Sequence, residues 1–215
     1  MNTIEYFYSA HSAYAYLGHR KLLEICKRHD CELVHRPIDL RPVVRAVGSL
    51  PFDKRTKHNV DYHFGREIER WAEFRGVEIL NRRPTYHDHG LNLSNGMLIA
   101  AIRQGADIDT LSHAVLRAHW LDDIDLDDAD QLHQVATQIG PDYGTFVDLA
   151  MDETVQHVHR ENTAEAIDRG IFGSPTYFLN GDMYYGQDHL ELLERGLVHP
   201  FKPHTFQNPE PGAPR

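Results

Sequence analysis

Hydrophobic and polar positions alternate along Thr3-Ile4-Glu5-Tyr6-Phe7-Tyr8, which predicts a strand. Ser9-Ala10-His11-Ser12 then breaks the alternation with capping residues. From Tyr14 to Asp30 the apolar positions Tyr16, Leu17, Leu22, Leu23 and Ile25 recur at helical spacing, so Ser12 opens a helix whose exit is His29-Asp30. Cys31 to Pro37 reads as a second strand, and a strand–helix–strand crossover of this length places the two strands parallel and adjacent. Near the other end, Pro175 can neither donate to a ladder nor sit mid-strand. The apolar run Thr176 to Leu179 follows it immediately, so it is expected at a strand's first residue, with a cis peptide before it. Asn180-Gly181 supplies the positive φ values of a two-residue turn, and Met183 to Tyr185 returns as the second strand of a hairpin. Gly186-Gln187-Asp188 leads into an amphipathic helix over His189 to Leu197, whose unpaired N–H groups favour a carboxylate.

Between these ends the period is helical. Lys57 to Gly76 carries Val60, Phe64, Ile68, Trp71 and Phe74 on one face, with Gly76 as the stop. Leu93 to Gln104, Asp109 to Leu121, Asp127 to Ile139 and Tyr143 to Arg169 continue the pattern, and the last delivers the chain to Gly170 and Pro175. Strand–helix–strand at one end and strand–strand–helix at the other predict an α/β chain, a thioredoxin-like fold with a large all-helical insertion. The expected division is 1–40 and 170–198 for the thioredoxin-like part, 41–169 for the helical insertion, and a proline-rich tail over 199–215.

Composition narrows the function. The formal charge of -10 over 215 residues, with no basic tract, argues against a nucleic-acid partner. No apolar run is long enough for a membrane span, and no basic, cleavable leader precedes the first strand, so the expected compartment is the cytoplasm. Cys26 and Cys31 form no Cys-x-x-Cys pair and read as reduced structural thiols. Of the 16 histidines, the close pairs His87-x-His89 and His157-x-His159 lack the carboxylate or cysteine cluster of a ligand set, so no metal is expected.

Tyr8-Ser9-Ala10-His11-Ser12-Ala13-Tyr14-Ala15-Tyr16-Leu17-Gly18, together with Gly170-Ile171-Phe172-Gly173-Ser174-Pro175-Thr176-Tyr177-Phe178 and Gly186-Gln187-Asp188, resembles the 2-hydroxychromene-2-carboxylate isomerases. These are a branch of the kappa-class glutathione transferases within the DsbA-type thioredoxin superfamily. The resemblance runs over residues 3–198 and takes in Glu69-Arg70-Trp71-Ala72, Asp127-Asp128 and Asn162-Thr163. It implies glutathione as cofactor, a homodimer, an aromatic carboxylate as substrate, and a serine where the oxidoreductases carry their first active-site cysteine. Two positions depart from the pattern: Ala13 follows Ser12 where the family usually has proline, and His189 stands where it has arginine.

On that resemblance Ser12 is the candidate that stabilises a glutathione thiolate, through its hydroxyl and the helix N-terminus, and its other reading is a plain N-cap. His11 beside it is the acid/base candidate, or else a loop histidine. The peptide before Pro175 would present the backbone of Ser174 to the cysteinyl part of glutathione, while Gln187 and Asp188 would meet its glutamyl end. Lys57, or Arg55 beside it, would meet the glycyl carboxylate, although a solvated charge fits Lys57 as well. Tyr14 and Phe172 would line an aromatic substrate pocket. The resemblance leaves three activities open: the isomerase, a kappa-like glutathione transferase, and a thiol-binding DsbA-like protein without redox cysteines.

Overall fold

The computed structural model describes residues 1–50 and 52–209. Four strands form one sheet in the order β2-β1-β3-β4, with β1 Thr3–Tyr8, β2 Glu32–Pro37, β3 Thr176–Leu179 and β4 Asp182–Tyr185. β1 pairs with β2 in parallel, Thr3 opposite Glu32 through Tyr8 opposite Pro37, and with β3 antiparallel, Tyr6 opposite Tyr177. The helix α1, Ala13–His29, makes the crossover between β1 and β2. Asn180 and Gly181 turn the β3–β4 hairpin at φ 53 and 82, and α10, Leu190–Val198, follows a short 3-10 turn over Gln187–His189. This is the thioredoxin-like arrangement that the order of elements predicts.

The alternation along β1 sends its side chains to two cores. Ile4, Tyr6 and Tyr8 pack with Tyr177 and Leu179 against α1 and α10, while Phe7 and Phe178 meet Ile38, Val43, Ala166 and Ile171 on the other face. That second face is covered by α2, Leu40–Ala46, and by α9, Glu153–Asp168. Both flanks of the two central strands are thus buried, which is why β3 holds no exposed residue.

The intervening helices are α3 Lys57–Asp61, α4 Glu67–Arg75, α5 Asn92–Arg103, α6 Ile108–Leu121, α7 Ala129–Ile139 and α8 Thr145–Leu149. The stretch from Lys57 to Gly76, expected as one α-helix, is continuous but contains a π-helical turn over Tyr62–Arg66, and it ends at Gly76 with φ 63. The stretch from Tyr143 to Arg169 is not one helix. It divides into a 3-10 turn, α8 and α9, and at the break the carbonyl of Ala150 lies on α5, where a Cβ on Gly96 would come within 2.2 Å of its oxygen, and accepts from Gln156 Nε2 at 2.7 Å. Residues 200–209 form neither helix nor strand, and the rest of the tail, 210–215, lies outside the described residues. No helix among the described residues is long and apolar enough to cross a membrane.

Candidate active site

The C-terminal end of β1 and the start of β3 lie side by side, and the segments that continue from them are tied together. Ser12 is the N-cap of α1, with its N–H donating to Ser9 O at 3.0 Å and its Oγ accepting from Ala15 N at 3.2 Å. The hydroxyl proton points across to the other segment and is donated to the Ser174 carbonyl at 3.0 Å. In return, Ser9 N–H donates to Ser174 Oγ at 3.1 Å. The Ser174–Pro175 peptide is cis. No acidic side chain stands in the first turn of α1, so the positive end of that helix is uncompensated beside Ser12.

The loop carrying Ser12 is held from behind by groups on the helical segment. Asn95, buried in the first turn of α5, accepts Ala10 N–H at its Oδ1 (3.0 Å) and donates from Nδ2 to Ile38 O (2.9 Å). Trp120 on α6 donates its indole N–H to His11 O at 2.8 Å. Asn95→Ala would leave a buried N–H and a buried carbonyl without these partners, at about 1–3 kcal/mol each. We expect a loss of about 2–4 kcal/mol in denaturant unfolding and a looser Ser9–Ser12 loop. An unchanged midpoint would show that the loop holds itself.

His11 lies in this loop, but its ring turns toward histidines from the helical segment. Its Nδ1 is 3.1 Å from Ser9 Oγ, and its ring centroid is 4.7 Å from that of His87. His119 Nδ1 contacts the Ile124 carbonyl at 3.1 Å, and since a carbonyl can only accept, that nitrogen carries the proton. Its Nε2 therefore accepts from His87 Nδ1, 2.9 Å away. Burial, with the nearby His87, His119, Arg41 and Arg83 as lesser causes, holds His11 well below the ordinary histidine range; burial, then His119, lowers His87 to about 3. His11 is therefore a neutral ring near pH 7, suited to giving or accepting a hydrogen bond and ill suited to acting as a cationic acid.

The remaining expected residues are dispersed around this centre. Phe172 and Tyr185, 49% and 45% exposed, stand 5.8 Å apart by ring centroids and flank the proline, and the Tyr185 ring packs over Gly173. Tyr14, the second residue of α1, donates its hydroxyl to His63 O in the π-helical turn, and burial followed by the Glu67 charge keeps its phenol protonated. Asp188 is exposed, with His189 Nδ1 3.5 Å from its carboxylate. Gln187 is fully buried: its side-chain and backbone oxygens both accept from Arg75, and its turn is tied to the proline by Gly186 N–H to Pro175 O at 2.9 Å. What Gln187 offers a ligand is therefore backbone. Lys57 pairs with Asp61 at 2.5 Å, its side chain 83% exposed. Arg55 lies against the Phe64 ring at 5.3 Å, and its charge reaches the Tyr185 phenol, so of the two cations Arg55 is the one near the proline side.

The cysteines stand apart from this chemistry. Burial raises the Cys26 thiol to about 12 and the Cys31 thiol above its usual value, so neither is a ready nucleophile. The two close histidine pairs diverge in space: His89 pairs with Asp125 while His87 meets His119, and His157 pairs with Glu161 while His159 meets Asn95. Among the described residues no group of three or more His, Cys, Asp or Glu side chains is placed so that it could hold a metal ion. Asn95, Trp120, His87, His119 and Arg75 were not foreseen from sequence. The one local signal was an asparagine, Asn95, next to the apolar run Met97-Leu98-Ile99 of α5.

The profile of the DSBA-like thioredoxin domain matches residues 3–198. The chain is 25% identical over 197 residues to the 2-hydroxychromene-2-carboxylate isomerase of Pseudomonas putida, covering 90% of this chain and 93% of that protein. It is likewise 25% identical to the protein of that name from Sphingobium xenophagum, over 91% and 98% of the two chains. Among solved structures it is similar to a 2-hydroxychromene-2-carboxylate isomerase, with a TM-score of 0.78 at 25% identity over 91% of this chain and 94% of that one. A probable DsbA oxidoreductase from Streptomyces coelicolor shares the fold, with a TM-score of 0.71 at 17% identity over 100% and 97% of the chains.

Proposed function

The chain belongs to the DSBA-like thioredoxin family, and from that premise we propose that it is a glutathione-dependent cis–trans isomerase acting on 2-hydroxychromene-2-carboxylate or a similar aromatic carboxylate. The observation that carries this reading is the Ser12 hydroxyl, set at the N-terminus of α1 against the Ser174–Pro175 peptide. A serine cannot form a mixed disulfide, so the protein's own residue performs no thiol–disulfide exchange here. It can still donate a hydrogen bond to an anion, and the helix N-terminus adds favourable partial charge.

The residues fit glutathione. Ser174 offers backbone beside Ser12, and its carbonyl has a second lone pair free for an amide N–H after accepting from Ser12. At the turn, the first intrahelical bond is His189 N–H to Gly186 O, so the N–H groups of Gln187 and Asp188 precede it and suit the glutamyl carboxylate, while the exposed Asp188 suits the ammonium. When bound, glutathione supplies a nucleophilic sulfur whose reversible addition to a conjugated carbon permits rotation about what was a double bond. Ser12 must then swing its one hydroxyl proton from Ser174 O toward that sulfur, a rotation about a single bond. Phe172 and Tyr185 offer aromatic surface to the substrate, and the neutral ring of His11 offers a hydrogen bond without a competing charge.

The test is turnover of the chromene acid with and without glutathione, followed by its absorbance. We expect turnover that saturates with glutathione and is near background without it. Turnover independent of glutathione overturns the proposal. Conjugation of an aryl halide in the absence of isomerisation would replace the isomerase with a transferase using the same site.

A further inference from the structure

Arg75 closes α4, yet its side chain is only 7% exposed. Four hydrogen bonds leave its guanidinium, all toward the turn and helix after the hairpin. Nε donates to Gln187 Oε1 at 3.0 Å and Nη2 to the Gln187 carbonyl at 3.0 Å. Nη1 and Nη2 reach the Glu191 carboxylate at 2.5 and 3.1 Å. The rings of Trp71 and Phe74 lie 5.2 and 5.5 Å from Cζ. A planar fork of five donors can hold a carbonyl, an amide oxygen and a carboxylate at once, which a lysine ammonium on its flexible stem cannot do with the same geometry.

The residue so held lies in the turn beside the candidate site. Gln187 is packed flat on α1, since a Cβ on Gly18 would come within 2.5 Å of Gln187 Cβ. Its Nε2 is buried and has no protein partner, so the hydrogen bonds that fix this side chain come through its oxygen from Arg75. The next residue is the exposed Asp188, and the residue before it is tied to Pro175. Arg75 thus reaches the turn across 112 residues of chain, while the backbone of Gly186 ties the same turn to the proline.

We propose that Arg75 is a positioning residue for glutathione: by holding both oxygens of Gln187 it fixes the Gly186–Asp188 backbone and sets affinity for the glutamyl end without touching it. This rests on the glutathione reading of the site. Preorganising the turn lowers the ordering cost of binding and leaves the chemistry at Ser12 alone, so its loss appears in glutathione affinity and not in the rate at saturation.

Three proteins test it, by calorimetric titration with glutathione and by kinetics with the chromene acid. Arg75→Met removes every bond at once, so the decisive variant is Arg75→Lys, which keeps a charge facing Glu191 and loses the fork on Gln187. We expect its Kd and KM for glutathione to rise about 5–30-fold, with kcat at saturating glutathione and KM for the chromene acid within about twofold. Glu191→Gln keeps both Gln187 bonds, and its glutathione constants should stay within about twofold of the parent while its Tm falls. An Arg75→Lys protein with parental glutathione constants overturns the role of Arg75, as does an equal loss in kcat and in both KM values, which marks general damage. A parent protein that binds no glutathione in the calorimeter overturns the glutathione reading, and this proposal with it.

Discussion

Ser12→Ala should yield a folded protein that has lost about 10²–10³ of its glutathione-dependent turnover at pH 7, the usual cost of removing one preorganised donor to an anion. The structural cost is separable and smaller. Ser12 Oγ accepts Ala15 N–H at 3.2 Å, and losing an N-cap costs about 0.5–2 kcal/mol. The Ser174 carbonyl also loses the hydroxyl it receives at 3.0 Å, which adds a second small penalty at the same place. Because a free thiol ionises near pH 8.5 and Ser12 acts by favouring the anion, the defect should shrink as pH rises and sulfur is ionised without help. Ser12→Cys should retain much of the cap and introduce a thiol at the position glutathione's sulfur would take, so it should compete with the cofactor where alanine does not. Measuring kcat/KM against pH for the three proteins separates the roles. A folded alanine variant with parental turnover at pH 7 would identify Ser12 as a cap alone.

Local chemistry explains which parts of this molecule can be read from its sequence. Asn180-Gly181 needs only its own two residues to turn a hairpin, and both have positive φ. Ser12 caps α1 through a bond three residues away, and Pro175 stands immediately before β3, where a residue without an N–H costs the ladder nothing. Gly76 ends α4 in the left-handed conformation that glycine permits. What was not legible depends on contacts from far along the chain. At the break between α8 and α9 the Ala150 carbonyl lies on Gly96, a contact across 54 residues, and the local signal is only Asp152 at the N-cap of α9. The helix α2 has Pro42 in its first turn, where a missing N–H costs no intrahelical bond, so the proline that argues against a helix is harmless at that place. The same holds for the site. Ser12, Ser174 and Pro175 are marked by their own neighbours, whereas Asn95 and Trp120 reach the Ser9–Ser12 loop across 85 and 109 residues. His11 illustrates the difference best: its position is visible in the sequence, but its protonation is set by burial and by His87, His119, Arg41 and Arg83, which only the fold brings near.

That protonation pattern gives the largest expected change in stability. His19 is fully buried beneath the sheet, its Nε2 3.2 Å from both Asp109 O and Ser112 Oγ, and it is faced by His35, His113 and Asp109. Burial, then the neighbouring His35, lowers it to about 3, the same level to which burial and His119 bring His87, while Arg83 and Arg41 add to the field at His87. His11 is lowered in the same direction. In the unfolded chain each ring takes its proton near pH 6.5. Between that pH and the folded values the unfolded state therefore binds protons that the folded state refuses, so stability must rise with pH across the window and fall as the solution is acidified below pH 6.5. Each such ring contributes up to about 1.4 kcal/mol per pH unit. His19 and His87 together give a slope of up to about 2.7 kcal/mol per unit, and His11 steepens it. Carboxylates whose folded values are lowered act at the lower edge of this window and beneath it, below the onset set by the histidines. Asp123, held near 2 chiefly by its hydrogen bond with Arg82, contributes stability above the ordinary Asp value of about 3.9 and loses it only below. Denaturant unfolding from pH 7.5 to 4.5 should therefore give a flat region above about pH 7 and a steep loss beneath it, and His19→Gln should reduce the slope by about one ring's share. An unfolding free energy that stays level from pH 7 to 5 would mean that the buried rings accept protons in the folded protein, and the neutral form assigned to His11 beside Ser12 would fall with it.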